Sequence, residues 1–324
     1  MVRTVARGVL VMSIVSGVAC QRAVPADPVG LAPAAPPASP AVPALAYRAE
    51  IEKFREAREA ALKTDTGWLT IAGLFFLTKP ETSFGSDPAN DIVLPAGAPA
   101  HAGTFALHDG KVAVTAASGV GFVLNGQTVT NASLKSDAIG SPDRIGLQDL
   151  TLWVHESGDR LAIRLRDKNN HLRKEFTGLS WYPINEAYRV GGEFVPYDTP
   201  KTVQIPNIVG DLDPMVSLGL ATLSIDGRRM QMVAIADPDH DKELWFIFRD
   251  LTSGKDTDPA ARFLYAPLPV NGKLVLDFNR AQNPPCAYNA FATCPLPPQE
   301  NRLGVRIEAG EKTYVPGPSA PESR

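Results

Sequence analysis

The chain is poor in cysteine, histidine and aromatic residues: its 324 residues include 3 Cys, 5 His and 4 Trp, and aromatics make up 7%. It also lacks any excess of positive charge, with 32 Lys and Arg against 35 Asp and Glu. No basic footprint for DNA or RNA exists, so nucleic acid is not an expected partner. Motifs with recognised mechanics are missing too: there is no HExxH, no Walker loop, no GxSxG and no paired CxxC. The Gly-x-Gly of GVGFVLNG leads into a strand and an Asn-Gly turn, not a helix, and no cofactor is expected. His101, His108, His155, His171 and His240 include no pair at helical ligand spacing; scattered histidines are more often hydrogen-bonded than metal-bound. The acidic run Asp237, Asp239, Asp241 and Glu243 lacks the Gly and terminal bidentate Glu of a calcium loop, and reads as a solvated hairpin turn. No metal is expected.

What is present begins with an export pattern. Basic Arg3 and Arg7 precede an apolar stretch from Gly8 to Ile14, and small residues Ser16, Gly17 and Ala19 precede Cys20. That order is a secretory signal over residues 1–20, too short in its apolar part to span a bilayer, which takes about 20 apolar residues. Cys20 fits a lipoprotein processing site, although Gly17 stands where such sites usually carry Leu. Its acyl chains would anchor the protein durably. The alternative is cleavage after Ala26, which would discard Cys20. Gln21, in place of an Asp, points to the outer membrane facing the periplasm. Residues 21–46 are dominated by Ala and Pro and form a semi-extended tether.

The body is expected to be mainly β. A helix is predicted within 47–67, from Ile51, Phe54, Ala57 and Leu62 at near-helical spacing, packing on the sheet that follows. The run WLTIAGLFFL after it reads as a strand or a core edge. Short β runs such as TFALH, KVAVTA, TLWVHE and RLAIRLRD predict a β-sandwich over 68–176. A second series, including LGLATLSI, RMQMVAIA, ELWFIFRD and ARFLYAPL, predicts an antiparallel β domain over 177–315, with a polar tail at 316–324. Asp109-Gly110, Asn125-Gly126, Asp226-Gly227 and Asn271-Gly272 are hairpin signals, since both residues tolerate positive φ. Strands do not alternate with long helices, which disfavours a parallel α/β architecture.

GWLTIAGL, GSDPANDIVLP, LTSGK, ARFLYAPL and above all DFNRAQNPPCAYNAFATCPLPPQENRL resemble the family named domain of unknown function 1684, over about residues 47–312. The resemblance implies relatedness and no activity. One departure is local: Asp258-Pro259-Ala260-Ala261 precedes Arg262 where the family pattern has an aromatic followed later by a Gly-Arg pair. Phe84 to Val129 is similar to a forkhead-associated domain, with a Gly and polar turn, DIVLP, a later His and an Asn-Gly hairpin. Those phosphothreonine readers hold phosphate with an Arg after the Gly and a Ser three residues before the His. Ser86 and Ala98 stand there instead, so a phosphopeptide is not an expected partner.

The segment Asp277 to Asn301 concentrates polar groups among five prolines, which stiffen it. Cys286 and Cys294 within it are expected to form a disulfide contributing about 2.5 kcal/mol. Three readings compete. One is a stapled structural loop; another is a ligand pocket presenting Arg262, Asp277, Asn279, Asn283, Tyr288 and Asn301; the third is catalysis by Cys286, for which no His lies nearby in sequence. Arg262 either clamps an anion or pairs with Asp250 or Asp277. The preferred expectation is an envelope lipoprotein binding a small molecule or envelope component. The alternatives are a hydrolase using Asp277 or Cys286, and a tethered structural module.

Overall fold

The computed structural model describes residues 44–237 and 242–316. The signal, Cys20 and nearly all of the tether lie outside these residues, as do Asp239, His240 and Asp241. Among the described residues the body is mainly β, with several antiparallel sheets and one long helix.

Helix α1 runs over Ala44–Leu62, starting on the good helix formers Ala44, Leu45 and Ala46. It buries Tyr47, Ile51 and Leu62, but Ala57 is exposed and Arg55 and Arg58 complete the packed stripe. The substitution follows from what the helix meets. Arg55 donates to the Tyr182 carbonyl at 2.9 Å and lies over Trp181, while Arg58 donates to the Asn283 carbonyl at 3.1 Å. The helix therefore packs against the segments around Trp181 and residues 278–288, not against the sheet that follows it.

The next strands are β1 (Ile71–Phe76), β2 (Glu81–Gly85), β3 (Ile92–Val93), β4 (Gly103–His108), β5 (Lys111–Ala116), β6 (Phe122–Leu124), β7 (Gln127–Val129), β8 (Asn131–Leu134), β9 (Ile145–Leu147), β10 (Leu150–Ser157) and β11 (Arg160–Asp167). They form two sheets, in the orders β1-β11-β10-β9-β6-β7 and β3-β2-β4-β5-β8. Alternation explains the sandwich: Leu152, Val154, Ile163 and Leu165 enter a core shared with Phe84, Phe105 and Phe122. Phe84 stacks on Phe105 at 4.4 Å and on Phe122 at 5.7 Å between centroids. Full burial of each ring contributes about 1.5–3 kcal/mol. The opposite face of β10 and β11 carries Trp153, His155, Arg164 and Arg166. In the forkhead-like segment the Ser86 hydroxyl donates to the Ala98 carbonyl at 2.7 Å, so the two expected phosphate positions bond to each other.

A second sheet system comprises β12 (Arg189–Pro206), β13 (Leu212–Ile225), β14 (Arg228–Ala236), β15 (Glu243–Phe248), β16 (Arg262–Pro267) and β17 (Lys273–Asp277), in the order β16-β15-β14-β13-β12-β17. Both of its faces are covered. Leu244, Phe246, Phe248 and Leu264 lie under a segment in which Leu303, Val305, Ile307 and Ala309 alternate with exposed residues. Val233, Ile235, Ile247 and Phe263 pack on the other side with Ala292 and Cys294. Asp109-Gly110, Asn125-Gly126, Asp226-Gly227 and Asn271-Gly272 all have both residues at positive φ, the conformation that lets a two-residue turn follow strand twist.

A cleft between the two β systems

The outer face of β10 and β11 and the outer face of β15 and β16 approach across a cleft of about 650 Å³, within the usual size of small-molecule sites. Period-two alternation puts Trp245, Phe263 and Tyr265 on its wall, because their neighbours Leu244, Phe246 and Leu264 fill the opposite core. Trp245 and Tyr265 stack with rings 6° from parallel, and Phe263 meets Trp245 edge-on at 4.9 Å. Helix α1 adds Phe54 and Arg58, and the sandwich side adds Trp68 and His155. The Pro-rich loop supplies Arg280, Gln282, Asn283, Thr293 and Cys294, while Asp237 and Glu243 flank the turn between β14 and β15.

Behind Arg58 and Asn283 lies the fully buried Glu311. It accepts from the Asn283 backbone N–H at 3.0 Å, from Asn283 Nδ2 at 2.9 Å and from the Tyr288 hydroxyl, with Arg58 Nε at 4.0 Å. Burial pushes the Glu311 carboxyl above the ordinary glutamate value, against the pull of Arg58, Tyr288 and Asn283. Burial and the Glu311 charge push the Tyr288 phenol upward as well.

On the sandwich side, Asp137 Oδ2 lies 2.7 Å from His155 Nδ1, and His155 Nε2 lies 2.9 Å from the Thr293 hydroxyl. Arg164 Nη2 donates to the same hydroxyl at 3.1 Å. Burial lowers Arg164 to about 10, partly offset by Asp137. Burial would raise Asp137, but the hydrogen bond and charge of His155, the Glu156 N–H and Arg164 together hold it below the usual aspartate value.

Of the residues singled out in the sequence, Asn283 lines the cleft and Tyr288 stands behind it on Glu311. The others are engaged inside the fold. Arg262 is fully buried, reaches Asp250 at 3.4 Å and donates to the Ile307 and Ala309 carbonyls, so the ion pair with Asp250 is the alternative realised. Asp277 accepts from the Tyr47 hydroxyl at 2.9 Å, and Asn279 joins Tyr47 to Asn185. Asn301 accepts from the Val233 N–H at 2.7 Å and donates to the carbonyls of Val233 at 3.0 Å and Ile247 at 2.8 Å. Its amide thus bridges β14 and β15 where they no longer pair directly.

The expected disulfide is absent: Cys286 and Cys294 are free thiols. The loop brings them close, with the Cys286 N–H donating to Cys294 Sγ at 3.1 Å, but proximity alone does not supply the bonded sulfur geometry a bridge requires. Burial, then the neighbouring Cys286 thiol, pushes the Cys294 thiol well above its ordinary value, which disfavours the reactive thiolate. Arg58, Trp68, Arg164, Trp245, Thr293 and Glu311 were not singled out from the sequence, and His155 figured there only among the scattered histidines. The usable signal was the alternation in TLWVHE and RLAIRLRD, which sets Trp153, His155, Arg164 and Arg166 on one face.

Residues 174–312 match the family described as "Protein of unknown function (DUF1684)". The solution NMR structure of an uncharacterized protein from Haloarcula marismortui is 30% identical, covering 44% of this chain and 79% of its own, with a TM-score of 0.37. A crystal structure of Rad53 in complex with AMP-PNP is 16% identical over 61% of this chain and 46% of its own, with a TM-score of 0.15. No curated protein matches the chain.

Proposed function

The chain belongs to the DUF1684 family of proteins of unknown function, and because that membership names no activity, we propose from the cleft that it binds a small molecule at the cell envelope. The observation that carries this reading is a set of buried polar atoms without a hydrogen-bond partner in the protein, on residues of the cleft wall: Arg58 Nε, Trp245 Nε1 and Asn283 Oδ1. Leaving such a group unpaired costs about 1–3 kcal/mol, so their place on residues lining a ligand-sized cleft supports pairing with groups of a bound molecule. The aromatic side chains around them favour a ligand with a planar apolar part and a polar head. The basic, apolar and small-residue order ahead of Cys20 supports a lipid anchor that would hold this cleft near a membrane.

Native mass spectrometry of the full chain, extracted in mild detergent, tests the reading. The expected result is a small molecule that stays bound in the wild type and is lost in Trp245→Ala at unchanged melting temperature. Wild-type protein that carries none, and whose tryptophan fluorescence is unchanged by titration with small aromatic amides, would instead support a tethered structural module.

A further inference from the structure

We infer that Asp137, His155 and Thr293 form a nucleophilic relay in this cleft, acting on carboxylic esters with an apolar, aromatic acyl group. The inference rests on the cleft being a ligand site. Asp137 accepts from His155 Nδ1 at 2.7 Å, from Trp153 Nε1 at 3.3 Å and from the Glu156 backbone N–H at 3.0 Å. A carboxylate facing Nδ1 fixes the neutral imidazole as the Nδ1–H tautomer, which leaves Nε2 as the acceptor 2.9 Å from Thr293 Oγ1. Arg164 Nη2 donates to that oxygen at 3.1 Å and offers it no acceptor, so the hydroxyl proton is directed at His155. Both distances lie in the range a nucleophile, base and orienting acid require.

Two features separate this arrangement from a bracing contact. Thr293 and His155 both line the cleft, so a substrate carbonyl can reach the hydroxyl beside the aromatic wall. Arg164, whose Nη2 donates to the Thr293 hydroxyl, is 5% exposed, and its buried Nε has no hydrogen-bond partner in the protein. A desolvated guanidinium is placed to stabilise negative charge developing there.

In the reaction, Thr293 Oγ1 attacks the ester carbonyl carbon and passes its proton to His155 Nε2. The Oγ1–C bond forms, and the tetrahedral oxyanion is balanced by Arg164. The C–O bond to the alcohol then breaks, and His155 returns the proton to the departing oxygen. Water repeats the sequence on acyl-Thr293, releasing the carboxylic acid and restoring the hydroxyl.

The full chain is assayed with p-nitrophenyl phenylacetate, and Thr293 is probed by peptide mass mapping after treatment with a fluorophosphonate. The wild type is expected to release p-nitrophenol and carry the phosphonyl adduct on Thr293. Thr293→Ala and His155→Gln should each lose roughly 100-fold or more in turnover, while Thr293→Ser stays within about tenfold of the wild type. Should the Ala variant fail to fold, Thr293→Ser and the mapped adduct decide alone. Turnover in folded Thr293→Ala within twofold of the wild type overturns the relay, and so does an absence of both turnover and adduct. Binding of the inert amide N-(4-nitrophenyl)phenylacetamide, followed by tryptophan fluorescence, separates the two readings. Binding without turnover removes the relay and leaves the ligand site, whereas neither binding nor turnover removes both.

Discussion

His155 Nε2 lies 2.9 Å from the hydroxyl of Thr293, 138 residues further along the chain, and this contact joins β10 of the sandwich to the Pro-rich loop of the second sheet. Asp137 holds the other side of the imidazole, so its ionisation reports on the assembled interface. Because its carboxyl is held below the ordinary value of 3.8, the stabilisation it adds is fully present above that pH and is lost as pH falls through the lowered value. Urea unfolding followed from neutral pH to about pH 2 should show a loss of stability that is smaller in Asp137→Asn than in the wild type. Identical acid profiles would show that Asp137 titrates alike in the folded and unfolded chains.

Arg262 and Asp250 form an ion pair with side chains 1% and 0% exposed. Arg262→Met leaves Asp250 charged and without its cation, and strips a donor from the Ile307 and Ala309 carbonyls, which should cost about 3–5 kcal/mol. Chemical denaturation measures the loss. A change below about 1 kcal/mol would show that the buried pair is as weak as a surface one.

Asn301→Ala removes the amide between Val233 and Ile247 and leaves their backbone groups buried without replacement, an expected loss of about 2–4 kcal/mol in the same assay. Asn301→Asp should be at least as damaging, because a carboxylate would face two carbonyls that now accept from Nδ2. Amide hydrogen exchange at Val233 should rise in both variants.

Cys20→Ala is expected to release the protein from membranes or to block its processing, measured by fractionation and by the mass of the mature N-terminus. Retention of an unaltered, membrane-bound mature form would rule out the lipid anchor. In the wild type the expected mass includes the acyl chains, each contributing about 0.8 kcal/mol of membrane affinity per buried CH2.

Local features were the most readable. The Asn-Gly and Asp-Gly pairs take positive φ at all four places, so three hairpins and the tight turn at Asn271-Gly272 followed from dipeptides alone. Alternation in RLAIRLRD likewise separates Ile163 and Leu165 from Arg164 and Arg166. What alternation cannot state is whether the polar face meets water or a second sheet, and Arg164 is buried against the Thr293 hydroxyl through that packing alone. Arg262 posed the same difficulty from the other direction. A cation flanked by Ala261 and Phe263 suits a pocket or a core equally well, and only the long-range return of Ile307 and Ala309 decides between them. The convergence of Asp137, His155 and Thr293 left no trace in spacing, because the three sit on two β systems. The Pro-rich loop was recognisable as a stiff element, but its hydroxyl rather than its thiols faces the imidazole.

The segment from Leu303 to Ala309 roofs one face of the second sheet, yet it is made after every strand it covers. A nascent chain therefore carries the bare apolar surface of Leu244, Phe246, Phe248 and Leu264 until nearly the whole body has emerged. Glu311, two residues beyond that roof, then reaches Asn283 and Tyr288, so the cleft matures last. Release of a chain stopped just before Leu303 would yield a sticky, chaperone-dependent species rather than a smaller working protein, and C-terminal proteolysis would act as an off-switch for the cleft.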